Sequence, residues 1–367
     1  MRFKNHYEAK NRFSYNRLRS METLKSTIFI KIALLLSFTL IYLLPLSGQE
    51  NEPLPLFQDD DLIEFKLVGN FNKLFDDVGE DRKDYPAKLI YKNPQGEKLN
   101  IEMELKTRGN FRRNPDNCSF PPIRLDFDGE RSKTIFQGQG KVKLVTHCLD
   151  KYKHENVQKE YLVYKLYNLL TPYSFQVRLC RIKYRQSWSL KSQKNFAFII
   201  EDNDDMADRF GGKELDEDDD YMPVDSLALA HLALFSYMIG NTDWAVKPLK
   251  NMEILKISSQ NEAIPVPYDF DLSAFVNAPY APDALFIDST RFHQRKYKGP
   301  EFRKSIVEKV TDNFLESRQN MISLIRQFNY LSKNEKNRLV SYLKEFYREI
   351  KENPYREEWT QKIRPGN

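Results

Sequence analysis

Four oxygen-bearing side chains fall within one short interval of the chain. Asp243 lies in GNTDW, Asn251 follows eight residues later, and Asp269 and Asp271 close YDFD. The last two end an apolar, proline-stiffened run, IPVPY, where a charge taken out of water is costly unless something pairs with it. Either these acids sit at the wet end of a strand, or they hold a cation. Carboxylates and a carboxamide, with no histidine or thiolate among them, suit magnesium, manganese or calcium rather than zinc. Such a set can hold a metal-bound polyphosphate, one acid acting as base or orienter while the others hold the ion. A plainer alternative makes Asp243 a turn residue after Gly240.

Whether these residues meet depends on the elements between them. SLALAHLALFSYMIG (226–240) is apolar all round, the pattern of a buried helix, with Asp225 or Ser226 as its cap. Two short strands follow, 251–257 and 264–268, about a polar turn; folded as a hairpin, they bring Asp243 and Asn251 back to Asp269 and Asp271. Upstream, alternating or apolar runs predict strands at 62–68, 87–92, 99–107, 122–127, 141–147, 177–185 and 195–202. NPQGEK supplies a hairpin turn, and 155–171 has helical spacing with Pro172 as its stop. Two amphipathic helices, about 301–328 and 332–353, close the chain, Ser332 capping the second. ELDEDDDY (214–221) reads as a solvated acidic loop, and His147 and His154 as structural.

With 57 basic and 52 acidic side chains the net charge is +5, and the excess lies in the first thirty residues. The remainder is near neutral, which argues against a nucleic-acid partner. A hydrophobic share of 41% with 13% aromatic residues is that of a globular chain. METLKSTIFIKIALLLSFTLIYLLPLSGQE (21–50) has the basic start, short apolar run and small residues of a secretory signal cleaved near Gly48. A secreted, periplasmic or envelope location is expected, with membrane contact only if that leader stays attached. Cys118, Cys148 and Cys180 fit no zinc spacing. In an exported chain Cys118 and Cys148 are the candidate disulfide, three reduced thiols being the alternative.

The order of motifs resembles the CotH family of secreted atypical kinases, within the wider class of protein-kinase-like phosphotransferases. TRGNFRR (107–113) is similar to that family's Arg-Gly-Asn-Ser loop, and PIRLDF to its following basic strand. FAFIIED is similar to the strand that leads to a nucleotide-side acid, and GNTDW with PVPYDFD to its Asn-x-Asp and Pro-Trp-Asp-x-Asp segments. The resemblance, over about residues 60–275, implies an α+β, two-lobed atypical kinase-like fold. The domain would run over 61–355, with a strand-rich N-lobe over 61–205 and a helical C-lobe over 225–355. Residues 49–60 would be a linker and 356–367 a tail.

The resemblance also implies ATP or another nucleotide, magnesium or manganese, and a protein or glycan acceptor. Asp243 would be catalytic. Asn251, Asp269 and Asp271 would hold the metal. Arg108, Gly109, Asn110, Arg124, Lys143, Glu160 and Glu201 would face the nucleotide. Arg124 stands where the family has a lysine, with Lys143 or Lys106 able to supply an ammonium, and Asn251 lies further from Asp243 than the roughly five residues usual in kinases. Two other classes share these features: an inactive kinase-like binding module of the envelope, and a metal-dependent phosphoesterase.

Overall fold

Alternation along the first half of the chain decides the architecture. In β3 (Lys98–Thr107) Ile101, Met103 and Leu105 point inward while Glu102 and Glu104 face water. The same two-residue period runs through β1 (Ile63–Gly69), β2 (Tyr85–Lys92), β4 (Ile123–Phe127) and β5 (Lys141–Val145). With β6 (Val177–Gln186) and β7 (Ser192–Ile200) these strands form one sheet in the order β1-β2-β3-β4-β5-β7-β6. It closes on itself through a parallel β1–β6 pair, from Ile63 opposite Cys180 to Gly69 opposite Gln186. The inward side chains fill the barrel as one apolar cluster.

These observations come from a computed structural model, which describes residues 52–127, 134–150, 153–215, 223–281 and 295–360. The leader read over 1–48, most of the acidic loop and the last seven residues of the tail lie outside them. Among the described residues no helix is long and apolar enough to cross a membrane.

The chain is a mixed α/β structure, as expected, and its strand-rich part is a closed barrel. Val145, Val177, Leu179, Phe198 and Ile200, on the outer face of the barrel, join a second cluster with the helices. That cluster contains α2 (Lys153–Asn168), α4 (Ser226–Ile239), α5 (Lys304–Gln327) and α6 (Lys333–Glu352). Three short elements carried no periodic signal: α1 (Phe71–Asp76), α3 (Asn203–Asp208) and β8 (Gly212–Glu214). The last turns the expected hairpin of β9 (Met252–Ile257) and β10 (Ile264–Pro267) into a three-stranded sheet, β10-β9-β8.

Two local devices aim the chain at the site. Helix α4 begins with Asp225 accepting from the Ala228 N–H at 2.6 Å and ends at Gly240 in the left-handed region, φ 65°. A Cβ there would lie 2.5 Å from the Tyr342 hydroxyl oxygen and 2.8 Å from Ala274 Cβ, so only glycine fits. Cys118 and Cys148 are bridged, Cα to Cα 4.7 Å, while Cys180 is buried and reduced inside the barrel. The bridge fastens the long β3–β4 connection to the chain just past β5. There the Cys148 carbonyl also accepts from the N–H groups of Ser119 and Phe120.

Candidate active site

The turn after α4 is built from side chains binding their own backbone. Asn241, buried, accepts from the Asp243 N–H at 3.0 Å. Ala245 and Lys250 then exchange two backbone hydrogen bonds, 3.2 and 2.9 Å, closing residues 245–250 into a tight loop. This loop absorbs the long spacing noted in the sequence and returns Asn251 to Asp243. The Asn251 Nδ2 donates to the Asp243 carbonyl oxygen at 2.6 Å and to its Oδ2 at 2.9 Å, and the Lys250 ammonium pairs with Asp243 Oδ1. With its nitrogen committed to Asp243, Asn251 has its carbonyl oxygen to offer a ligand.

The ends of the β9–β10 hairpin do meet: Met252 stands opposite Pro267, and the Tyr268 N–H donates to the Asn251 carbonyl at 3.0 Å. Asp269 adopts φ 58° and Asn251 φ 55°, a region unusual for residues with a Cβ and common where strain is held at a site. The Asp269 N–H donates to the Tyr164 hydroxyl of α2 at 2.9 Å. Phe270 is fully buried against Tyr164 and Phe235, which fixes the two flanking acids in place. Asp271 is buried, accepts from the Tyr280 hydroxyl at 3.0 Å, and lies 3.6 Å from an Arg112 nitrogen.

Opposite stands the β3–β4 loop. Gly109 takes φ 74°, the Arg108 N–H donates to the Pro122 carbonyl at 3.0 Å, and Arg112 donates to the Thr146 carbonyl. Glu160, buried on α2 one turn before Tyr164, completes the wall. These elements enclose a cleft of about 490 Å³ lined by Arg108, Gly109, Asn110, Glu160, Asp243, Asn251, Asp269 and Asp271. Eight of the eleven side chains singled out in the sequence therefore share one cleft.

Its electrostatics are those of carboxylates crowded out of water. Burial, then the neighbouring Asp269 charge, pushes the Asp271 carboxyl up to about 7, against the opposing pull of Arg112 and the Tyr280 hydrogen bond. Burial and Asp271 hold the Glu160 carboxyl well above the usual carboxylate range, Arg112 working the other way. For Arg112, burial opposes the charged form, but Tyr280, Asp271, Glu160 and Asp269 together outweigh it and raise its affinity for the proton.

The other three nominated residues are placed elsewhere. Arg124, on β4, pairs with Asp84 at 2.7 Å and does not line the cleft. Lys143 hydrogen-bonds Asn203 and sits 5.4 and 5.3 Å from the Phe175 and Tyr268 rings. It borders the cleft through Tyr268 and its strand partner Ile200 without lining it. Glu201 is buried and binds Arg209 through two contacts, 2.7 and 3.0 Å, while accepting from the Gln176 N–H. Each of these groups has a protein partner outside the cleft. Conversely, Arg112, Lys250, Tyr164 and Tyr280 take part in the site without having been singled out. Arg112 is inside the quoted TRGNFRR, and Tyr164 is spaced i, i+4 from Glu160, a signal that was there to read.

A resident cation can be tested against this donor set. Among the described residues no three His, Cys, Asp or Glu side chains form a ready-made metal cage. Asp269 and Asp271 with the Asn251 side-chain Oδ1 nonetheless fit the way magnesium binds. It takes one or two carboxylates and completes its shell from waters and substrate phosphate rather than from protein alone.

No family model and no curated protein matches the chain. Among solved structures the chain is similar to the crystal structure of a Helicobacter pylori proinflammatory kinase, CtkA, at a TM-score of 0.38 and 11% identity, covering 64% of this chain and 90% of that one.

Proposed function

We propose that this chain is an exported, kinase-like phosphotransferase that uses a divalent cation and a nucleotide, ATP or another, to phosphorylate a hydroxyl on a protein or glycan. One observation carries the reading. A base-like acid, two carboxylates with an amide, and an arginine-bearing loop converge on one cleft from elements far apart in the chain. Asp269, Asp271 and Asn251 would hold the cation, magnesium or manganese, which when bound neutralises phosphate charge. Arg108 and the N–H groups of the Gly109–Asn110 turn face the anion. Asp243 receives the proton of the acceptor hydroxyl as its oxygen bonds to the terminal phosphorus and the bond to the leaving diphosphate breaks. Asn251 holds the Asp243 carboxylate in orientation.

One contact favours a second reading, a binding module that does not transfer. Lys250 pairs with Asp243, so the acid that would take the acceptor's proton already has a positive partner. The deciding experiment measures melting of the chain from Gln49 onward with ATP, with and without magnesium or manganese, followed by a radiolabel transfer assay. A ligand that binds only the native state at a hundredfold excess over its Kd stabilises by about 2.7 kcal/mol. A metal-dependent rise with label transfer supports the enzyme, and the rise without transfer supports the binding module. No response to either ligand would sink the enzyme reading and leave the envelope-binding module in its place. Phosphate released from an ester without nucleotide would favour a phosphoesterase.

Export rests on the leader sequence and on the bridged Cys118–Cys148 pair, which suits an oxidising compartment. N-terminal sequencing of the mature chain is expected to begin near Gln49; an intact 21–48 segment would refute cleavage.

A further inference from the structure

Arg112 has the surroundings of a counter-ion. It is 9% exposed, one terminal nitrogen donates to the Thr146 carbonyl, and the other lies 3.6 Å from Asp271. The guanidinium stands 5.6 Å from the centre of the Tyr280 ring. Its Nε–H is buried without a hydrogen-bond partner among the described residues. Arg209, also buried, has both its Nε and Nη2 engaged by Glu201 and the Ser174 carbonyl. The donor set of Arg112 is therefore incomplete, and the residue lines the cleft.

Charge explains why. Arg112 lies beside Asp271 in a cleft that Asp269 and Glu160 also line, an acidic wall that disfavours a polyanion. A divalent cation on Asp269 and Asp271 reverses that. It takes over the negative charge that Arg112 otherwise balances.

We propose that Arg112 is an exchangeable counter-ion: it balances Asp271 while the cation is absent, and turns its Nη1 donor to a phosphate oxygen when the cation binds. The inference rests on the reading that the cleft takes a metal-bound polyphosphate, and it adds the residue that makes the two ligands depend on each other. Little movement is needed. The Thr146 bond and the Cys118–Cys148 bridge hold the loop in place while Nη1 changes partner. Arg112 is thus a binding and positioning residue, and the coupling is reciprocal: each ligand raises the affinity for the other by the same factor.

The test measures two probes separately by calorimetry, manganese alone and inorganic triphosphate at saturating manganese. In Arg112→Gln, manganese alone is expected to bind several-fold tighter, because a competing positive charge has left the carboxylates. Triphosphate is expected to bind on the order of tenfold or more weakly, because a charge-assisted contact is lost. A residue that only anchors the loop would weaken both together, and that result overturns the inference, as does unchanged triphosphate affinity. Arg112→Lys keeps the charge and removes the planar, Thr146-anchored donor set, so it serves if the glutamine variant does not fold. It should leave manganese affinity within about twofold and still weaken triphosphate about tenfold, and unchanged triphosphate binding again overturns the proposal. Wild-type protein that binds neither probe would instead refute the reading of the cleft itself.

Discussion

Asp269→Asn is expected to reduce metal-dependent nucleotide binding at least a hundredfold while leaving the fold intact. The main structural bond of Asp269 runs through its backbone N–H, which donates to Tyr164 and survives the substitution. Asparagine also tolerates the left-handed conformation at φ 58° that this position requires. What disappears is one of two carboxylates available to the cation, and with it a charge that a hard cation needs. Asp243→Asn should behave differently. Nucleotide affinity should stay within a few-fold, while transfer falls by roughly 10²–10⁴, the range associated with one positioned general base. Calorimetric titration of magnesium and ATP, paired with label transfer, separates the two. If Asp269→Asn binds as tightly as wild type, the cation is not on this acid. If both variants lose binding equally, Asp243 belongs to the ligand's binding set and not to a proton-transfer role.

Much of this arrangement could be read from periodicity, because the elements are long and each buries one face. The strands of the barrel, helices α2, α4, α5 and α6 and the β9–β10 pair fall within a few residues of their predicted spans. Closure of the barrel could not be read, since the β1–β6 pairing joins residues more than a hundred positions apart through register alone. For the site, the sequence order brought out acids next to breaks in apolar pattern, and Asp243, Asp269 and Asp271 do line one cleft. The same rule picked out Glu201, an acid at the end of an apolar strand, but its partner Arg209 sits eight residues on, past a short helix with no periodic signature. Arg124 and Lys143 lie on alternate positions from the inward-facing Ile123, Leu125, Val142 and Leu144. A basic residue on the outside of a sheet says nothing about which cleft it faces. Tyr280, in a loop, had no pattern to betray it.

Asp271 should make the cation-free protein less stable as pH rises, the reverse of the usual behaviour of a carboxylate. Its carboxyl is pushed up to about 7 in the folded chain, chiefly by burial and then by Asp269, from an ordinary 3.8. Between those values the folded state keeps a proton that the unfolded chain has released, so the folded state binds more protons. Stability therefore falls with rising pH across this window. The contribution is fully present below about pH 4 and lost by about pH 7. At about 1.4 kcal/mol for each unit of pKa, the loss reaches roughly 4 kcal/mol. Asp271→Asn cannot ionise, yet it can still accept from the Tyr280 hydroxyl. With a chelator present, its stability should match wild type near pH 4 and exceed it near pH 8, less whatever Arg112 loses with its anionic partner. Magnesium or manganese added at pH 8 should close the gap by stabilising wild type, because a cation does for the buried carboxylate what the proton did at low pH. Urea unfolding at pH 4 to 8, with chelator and then with cation, measures every leg of this comparison. Wild-type and Asp271→Asn curves that stay parallel across the range would mean that the acid is not held protonated in the folded chain. The physical case for a cation at this cleft would then lose its main support, since a carboxylate at ease in its surroundings needs no counter-charge.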